Sequence, residues 1–328
     1  MSLSATSPSV AVVGCGAWGR NLARNFAELG VLAAVVDRDG GRREELAARF
    51  GARPLSLDEA MADEGIGGLC IATPPSTHHS IGMAALAAGK HLLVEKPLTL
   101  VRAEAEALAR EAAARGLVLM VGHILRYHPA FRRLEALVAE GALGRLRRIH
   151  ASRLNLGAIR AEEDALWCLA PHDVSMILAL AGVMPTRVTG FAERPLGRGP
   201  ADAAAVRLDF DGGLSAMIQV SWLHPVKEHR LSVVGSEGMA VFDDTKAWSE
   251  KLTLYRHRVG PDLAIARAEP EPLPIPEGEP LKEECRDFLA AVAEGRPPLA
   301  DAGEALRVMQ VLALAEAALA VSEPELVT

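Results

Sequence analysis

Val10-Ala11-Val12-Val13-Gly14-Cys15-Gly16-Ala17-Trp18-Gly19 is the stretch that decides the reading of this chain. Four apolar residues make a buried-strand run, and three glycines follow at G-x-G-x-x-G spacing. A helix-like stretch then continues to about Leu29, and a second strand from Val31 to Val36 ends at Asp37. The spacing predicts a β-α-β unit built to hold a dinucleotide. Gly14 permits the tight turn, Gly16 lets the backbone approach a pyrophosphate, and Gly19 lets helix and strand pack closely. The helix start offers unpaired N–H groups and the positive end of its dipole to phosphate, with Cys15, Ala17 and Trp18 completing the loop. Asp37 stands where an acid accepts the ribose hydroxyls, which favours NAD because a carboxylate repels a 2′-phosphate. Arg38 and Arg42 could grip such a phosphate, so NADP stays open.

Working outward, residues 9–122 alternate short apolar runs with helix-length segments, the rhythm of a parallel sheet. Ser56-x-x-Glu59 is a capping box. Leu69 to Ala72 is a strand ending in Thr73-Pro74-Pro75-Ser76-Thr77-His78. The prolines force an extended loop at the strand's carboxyl end, where ligands sit in such sheets, and this makes Thr73, Pro74 and His78 candidate cofactor contacts. For His78, capping of the next helix is an equal reading. His91 to Val94 ends in Glu95-Lys96-Pro97; Lys96 is expected at the nicotinamide end, with Glu95 orienting it. Thr99 is expected to cap a helix running to Gly116, and Val118 to Val121 closes the series of strands.

The rest of the chain reads differently. A helix over 129–140 and the turn Gly141-Ala142-Leu143-Gly144 lead into a strand through Leu154. A helix follows from about Pro171 to Ala181. Short strands then lie near 187–194, 203–210, 214–222, 229–235, 238–242 and 251–258, with turns at Asp211-Gly212-Gly213 and Gly235-Ser236-Glu237-Gly238. Residues 269–280 read as an exposed connector, and two apolar helices close the chain. The expected fold is α/β: an N-terminal Rossmann, doubly wound parallel sheet over residues 1–122, plus a C-terminal α+β domain over 123–328 with a mostly antiparallel open sheet.

With 328 residues, half of them hydrophobic and 23% charged, two cores can be filled. A net charge of −7 argues against nucleic acid or an anionic membrane as the main partner. No apolar run is long enough for a bilayer, and the polar start Met1 to Pro8 is unlike a signal peptide, so a cytoplasmic location is expected. Cys15, Cys70, Cys168 and Cys285 lie far apart and read as reduced thiols rather than a disulfide frame or a metal site.

The order G-x-G-x-x-G, strand-end Asp37, Thr73-Pro74-Pro75-Ser76-Thr77-His78-His79 and Glu95-Lys96-Pro97 resembles the glucose–fructose oxidoreductase and inositol dehydrogenase (Gfo/Idh/MocA) family. The resemblance continues through Gly122-His123-x-x-Arg126-Tyr127-His128-Pro129, Pro171-His172-Asp173 and Phe288…Gly295-Arg296-Pro297-Pro298. It implies an NAD(P)-dependent oxidoreductase acting on a sugar, sugar nucleotide or cyclitol, with a cis bond between Lys96 and Pro97. It also implies a homodimer or homotetramer formed through the second sheet.

Alcohol oxidation needs a base, a group that steadies the developing alkoxide, and positioning. His172 fills the first role because imidazole titrates near neutral pH and the family's histidine falls at this motif. Lys96 fills the second. Many relatives carry an acid four residues before that histidine, where this chain has Cys168. Three outcomes stay open: the histidine suffices, Asp164 or Asp173 substitutes, or activity is impaired. Arg126, Tyr127, Arg153, Asn155, Cys168, His172 and His224 are candidate substrate contacts, with Lys227 and Arg230 near them. The resemblance of His123-x-x-Arg126-Tyr127-His128-Pro129-Ala130 to enzymes of nucleotide-linked amino sugars suits such a set. Two alternatives are an NAD-using glycosidase or lyase that oxidises transiently, and a cofactor-binding sensor that has lost catalysis.

Overall fold

The computed structural model describes residues 8–321 apart from 158, 160–162, 198, 260 and 261. Its first part runs β1 (Val10–Val13), α1 (Ala17–Glu28), β2 (Leu32–Val36), α2 (Gly40–Phe50), β3 (Arg53–Leu55), α3 (Leu57–Ala62), β4 (Gly68–Ile71), α4 (His78–Ala87), β5 (His91–Val94), α5 (Arg102–Arg115) and β6 (Leu119–Val121). The strands form one sheet in the order β3-β2-β1-β4-β5-β6. Every pairing in it is parallel. The central strands β1, β4 and β5 are apolar almost throughout because both faces of such a sheet are covered. Strand order reverses between β1 and β4, which opens a crevice at the carboxyl ends there.

The turn from β1 into α1 explains the glycines. Gly14 has φ +101°, and a Cβ on it would lie 2.7 Å from Ala72 O. A Cβ on Gly19 would fall far inside contact distance of Gly14 O. Strand β3 carries no apolar signal in Arg53-Pro54-Leu55, which is why periodicity passes it over; its proline is tolerated at a sheet edge. The capping box is present: Ser56 N donates to Glu59 Oε2 at 2.7 Å and Glu59 N to Ser56 Oγ at 3.2 Å. Thr99 does not cap α5; its hydroxyl donates to Val101 O at 2.7 Å, and the helix starts at Arg102.

The second sheet follows α6 (Pro129–Ala139). Its elements are β7 (Leu146–Leu156), α7 (Ala165–Ala181), β8 (Arg187–Glu193), β9 (Ala203–Asp209), β10 (Ser215–Ser221), β11 (Leu223–Gly235), β12 (Met239–Asp243), β13 (Leu252–Tyr255), β14 (Arg258–Val259), β15 (Ile265–Ala266) and β16 (Glu271–Pro272). Eight strands pair in the order β16-β13-β12-β11-β7-β10-β9-β8, while β14 and β15 form a separate ribbon. Only β7 and β10 pair in parallel among these. The Gly212 and Gly213 turn joins β9 to β10 with φ of +76° and +84°. The segment around Pro225, expected as a loop, lies inside β11 as an interruption of register between Leu223 and Glu228. The core on the inner face gathers Trp222, Phe242, Phe131, Ile149, Ile177 and Leu231. Trp222 Nε1 donates to the buried Asp202 carboxylate at 3.0 Å.

α8 (Pro280–Glu294) and α9 (Ala302–Val321) end the described chain. The chain divides into two compact units, Met1–Ile124 with Glu279–Leu306, and Leu125–Gly278 with Arg307–Thr328. The expected boundary at residue 123 gave all that follows to the second domain; the packing returns Glu279–Leu306 to the first. Polar and apolar contacts both hold it there. Glu279 pairs with Arg24 and accepts from Asn25 Nδ2 at 3.0 Å, and Lys282 pairs with Glu28 at 2.7 Å. The Phe288 ring leaves a Cβ on Gly68 only 3.1 Å of room, and Val121 N donates to Ala300 O at 3.0 Å.

Because backbone, not a movable side chain, faces Gly19, Gly19→Ala is expected to cost about 2 kcal/mol or more. A melting temperature equal to that of the wild type would show that the turn can yield.

Candidate active site

The loop Gly14–Gly19 presents one exposed stretch, Gly16-Ala17-Trp18, between buried Gly14 and Cys15 and buried Gly19. Gly16 is the N-cap of α1 and contributes no side-chain bond, so the first N–H groups of the helix stay available. A Cβ on Gly16 would meet nothing within 4 Å, which leaves open space where a pyrophosphate would approach. Asp37 Oδ2 accepts from Cys15 N at 2.6 Å and Oδ1 from Asp39 N at 2.8 Å, which fixes the carboxylate beside the glycine loop. Arg38 is exposed, and Arg42 pairs with Asp39 at 3.3 Å. Cys15 is a buried packing group whose thiol is pushed up to about 11, first by burial and then by Asp37. These residues fit a nicotinamide dinucleotide, with the phosphates at the start of α1 and the adenosine ribose at Asp37.

Glu95, Lys96 and Pro97 follow β5, and the Lys96–Pro97 bond is cis. Trp18 Nε1 donates to Glu95 Oε1, so the glycine loop and the lysine turn are joined directly. The backbone N–H of Lys96 donates to the Glu95 carboxylate as well. A Cβ at Gly122 would lie 2.9 Å from Glu95 Oε2, so that glycine makes room for the carboxylate. Burial pushes the Glu95 carboxyl up to about 7, against the lowering pull of Trp18, Lys96 and His123. Glu284, fully buried on α8, is raised too, by burial and by Glu95 and Asp287; neither of its oxygens has a partner among the described residues. Nothing in the helical pattern of 280–294 singles out Glu284, because its polar head faces inward against that pattern.

Several expected contacts take other places. His78 is completely buried rather than open to a cofactor, with Nδ1 3.0 Å from Pro97 O and Nε2 2.9 Å from Thr73 O. Thr73 is half-buried, its hydroxyl 2.7 Å from that of Thr77, and Pro74 is exposed. Arg126 and Tyr127 are each 7% exposed, and Arg126 pairs with Glu135 at 3.1 Å. His123 Nδ1 lies 2.5 Å from the buried Glu304 carboxylate. His128 accepts from Ala130 N through Nδ1 at 3.1 Å, capping α6, and faces Asp244 through Nε2 at 3.3 Å. The polar residues of that motif thus brace the protein.

In the second unit, α7 begins six residues before Pro171, because Asp164 caps it by accepting from Trp167 N at 2.9 Å. Pro171 lies inside the helix, and His172 and Cys168 stand one turn apart on one side of it. Arg153, expected as a substrate contact, forms a buried two-pronged pair with Asp173: Nε to Oδ2 at 2.8 Å and Nη2 to Oδ1 at 2.9 Å. Asp164 and Asp173 are therefore both committed. Asn155 shares the strand face of Arg153, and His229 is the β11 partner of Arg153. Asn155 Oδ1 and His229 Nε2 are buried without partners among the described residues. Burial and the charges of Arg153 and Lys227 push the His229 imidazole down to about 4, which keeps it neutral. Sequence reasoning passed over His229, whose only signal is its register opposite Arg153. His224, the histidine named instead, has its Nδ1 2.7 Å from Val226 O, and Lys227 is exposed. Arg230 pairs with Asp243 at 3.2 Å.

A parallel sheet with a glycine turn, an acid fixed at the end of β2 and a lysine at the end of β5 fits an oxidoreductase that uses a nicotinamide dinucleotide. The comparisons agree: residues 9–123 match the oxidoreductase family with an NAD-binding Rossmann fold, and residues 131–241 match the GFO/IDH/MocA C-terminal domain. The chain belongs to the Gfo/Idh/MocA family. It is 31% identical to UDP-N-acetylglucosamine 3-dehydrogenase of Acidithiobacillus ferrooxidans over 91% of this chain and 93% of that protein. The solved structure of that enzyme superposes with a TM-score of 0.82, covering 95% of this chain and 99% of that one. GenD2 from gentamicin A biosynthesis, solved with NAD, is 30% identical with a TM-score of 0.81, covering 96% of this chain and 95% of that one. The scyllo-inositol 2-dehydrogenase (NAD(+)) of Bacillus subtilis is 30% identical over 70% of this chain and 71% of that protein.

Two outcomes test the site. Asp37→Ala is expected to weaken NAD about 10-fold by equilibrium titration and NADP much less; equal losses would mean that the ribose is held elsewhere. A carboxyl raised from its ordinary 4.5 to about 7 binds its proton more tightly in the folded state. Its contribution to stability is full below 4.5 and is lost as pH rises through 7. Glu95→Gln should therefore gain on the wild type in melting temperature across that interval. A constant difference between the two from acid to neutral pH would contradict the raised value.

Proposed function

We propose that the chain catalyses oxidation of a secondary hydroxyl of a nucleotide-linked sugar, or the reverse reduction, with Lys96 and His172 as its catalytic residues. The observation that carries this reading is the near full-length similarity to a UDP-N-acetylglucosamine 3-dehydrogenase, together with the intact glycine turn and strand-end lysine. When bound, the nicotinamide supplies the hydride acceptor, and that chemistry is the cofactor's own. Lys96 donates a hydrogen bond to the reacting oxygen and steadies negative charge as it develops there. Its turn is braced by the Glu95 carboxylate, which accepts from its backbone N–H. His172 takes the hydroxyl proton as general base.

With Asp173 spent on Arg153 and Asp164 on the helix start, neither stands in for the acid that the family resemblance leads one to expect where Cys168 stands. The histidine works here without a carboxylate from either position. Asn155 Oδ1 and the neutral His229 Nε2, which have no partner among the described residues, are suited to substrate hydroxyls.

The test is a screen of nucleotide sugars and cyclitols with NAD and NADP, following nicotinamide absorbance. Lys96→Met and His172→Ala should each lower turnover about 10²-fold or more, with dinucleotide affinity retained. Near wild-type rates in both variants would remove the catalytic assignment.

A further inference from the structure

His78 touches the loops that follow two neighbouring strands, β4 and β5. We propose that it is a positioning residue that ties the Lys96–Pro97 turn to the loop after β4, donating from both ring nitrogens at once. The inference rests on the reading of Lys96 given under Proposed function.

Each ring nitrogen lies against a peptide carbonyl, Nδ1 3.0 Å from Pro97 O and Nε2 2.9 Å from Thr73 O. A carbonyl oxygen only accepts. A neutral imidazole has one N–H and one lone pair, so it satisfies one of these contacts and sets lone pair against lone pair in the other. Two contacts at these lengths are both made when each nitrogen carries a proton. The ring has no exposed surface, so water cannot replace either bond.

What the bonds hold matters for Lys96. Proline has no N–H, so its carbonyl is the backbone handle by which Pro97 can be anchored. On the other side of Lys96, the turn is held by Glu95 N donating to Ile71 O at 2.9 Å and by the Glu95 carboxylate under Trp18. The lysine therefore stands between two anchors, one from the glycine loop and one from α4. The loop at the far end of the His78 ring is itself closed: Thr77 N and its hydroxyl both donate to Pro74 O, at 2.9 and 2.7 Å. Through His78, the segment that follows β4 and the lysine that follows β5 share one rigid frame. Misplacing a catalytic group by about an ångström costs on the order of 10²-fold in rate.

The first test is an NMR spectrum of the histidine ring nitrogens in the full-length wild-type protein at neutral pH, with His78→Gln to assign the signal. Both His78 nitrogens are expected in the protonated range; a lone-pair nitrogen at either position overturns double donation. The second test is kinetic. His78→Gln, which can donate to one carbonyl but cannot span both, should lower kcat on the order of 10- to 100-fold with dinucleotide affinity and KM changed little. A kcat within twofold of wild type overturns the positioning role, as does a loss confined to KM. If the variant does not fold, through-bond correlation of the ring to the His78 backbone assigns the signal, and the wild-type spectrum decides. If no substrate of the screen turns over with the wild type, the oxidoreductase substrate reading fails, and the ring-nitrogen spectrum still decides the state of His78.

Discussion

The carbonyl of Gly14 lies so close to the α-carbon of Gly19 that no side chain fits between them. That backbone contact places the start of α1 at the carboxyl edge of β1, and much of the first unit follows from it. The amide of Cys15 is brought onto the Asp37 carboxylate, fixing the acid at the end of β2. Gly16 is left facing open space at a helix start whose N–H groups no side chain satisfies. Trp18 is turned outward so that its indole reaches Glu95, four strands further along the chain. Any relaxation of the contact would shift all three together, because packed backbone moves as a body and not by increments.

The second unit has a different keystone, the buried pair of Arg153 and Asp173. A buried ion pair contributes little net stability by itself, but removing one partner leaves a charge stranded without water, at a cost of about 3–5 kcal/mol. Its value lies in register. The two-pronged geometry admits one rotation of α7 over β7, and the residues beside Asp173 inherit that setting, His172 next to it and Cys168 a turn before. The positive charge also bears on its strand neighbour: Arg153 helps hold the His229 ring neutral, so the face can present an uncharged imidazole beside a guanidinium.

Legibility in the sequence tracked the distance over which a signal acts. The glycine turn, Asp37, the Ser56–Glu59 box and the strand-end lysine are set by neighbours within a few residues or by strand periodicity, and their positions could be read directly. His123, Arg126 and His128 were legible as a motif, whereas their partners Glu304, Glu135 and Asp244 were not, being fixed by folding. The start of α7 went astray for a related reason. Pro171 suits a first helical turn, and nothing local shows that Asp164 has already capped the helix. Glu284 and His229 are polar residues turned inward, and burial of that kind leaves no mark in composition or period.

Those long-range partnerships also narrow where a substrate can be recognised. Arg126, Arg153 and Asp173 are buried and already opposed by charge, so using any of them as a ligand group would expose its partner to the same desolvation that the pair was formed to avoid. A substrate hydroxyl gains more from an atom that the fold leaves unsatisfied, since the bond it forms replaces nothing. Asn155 Oδ1 accepts, and the neutral His229 ring can hold a proton on Nε2 or lack one there, so the two atoms together serve an acceptor–donor hydroxyl pattern without an added charge. Uncharged groups set on a frame of mutually neutralised charges suit the substrate reading proposed above.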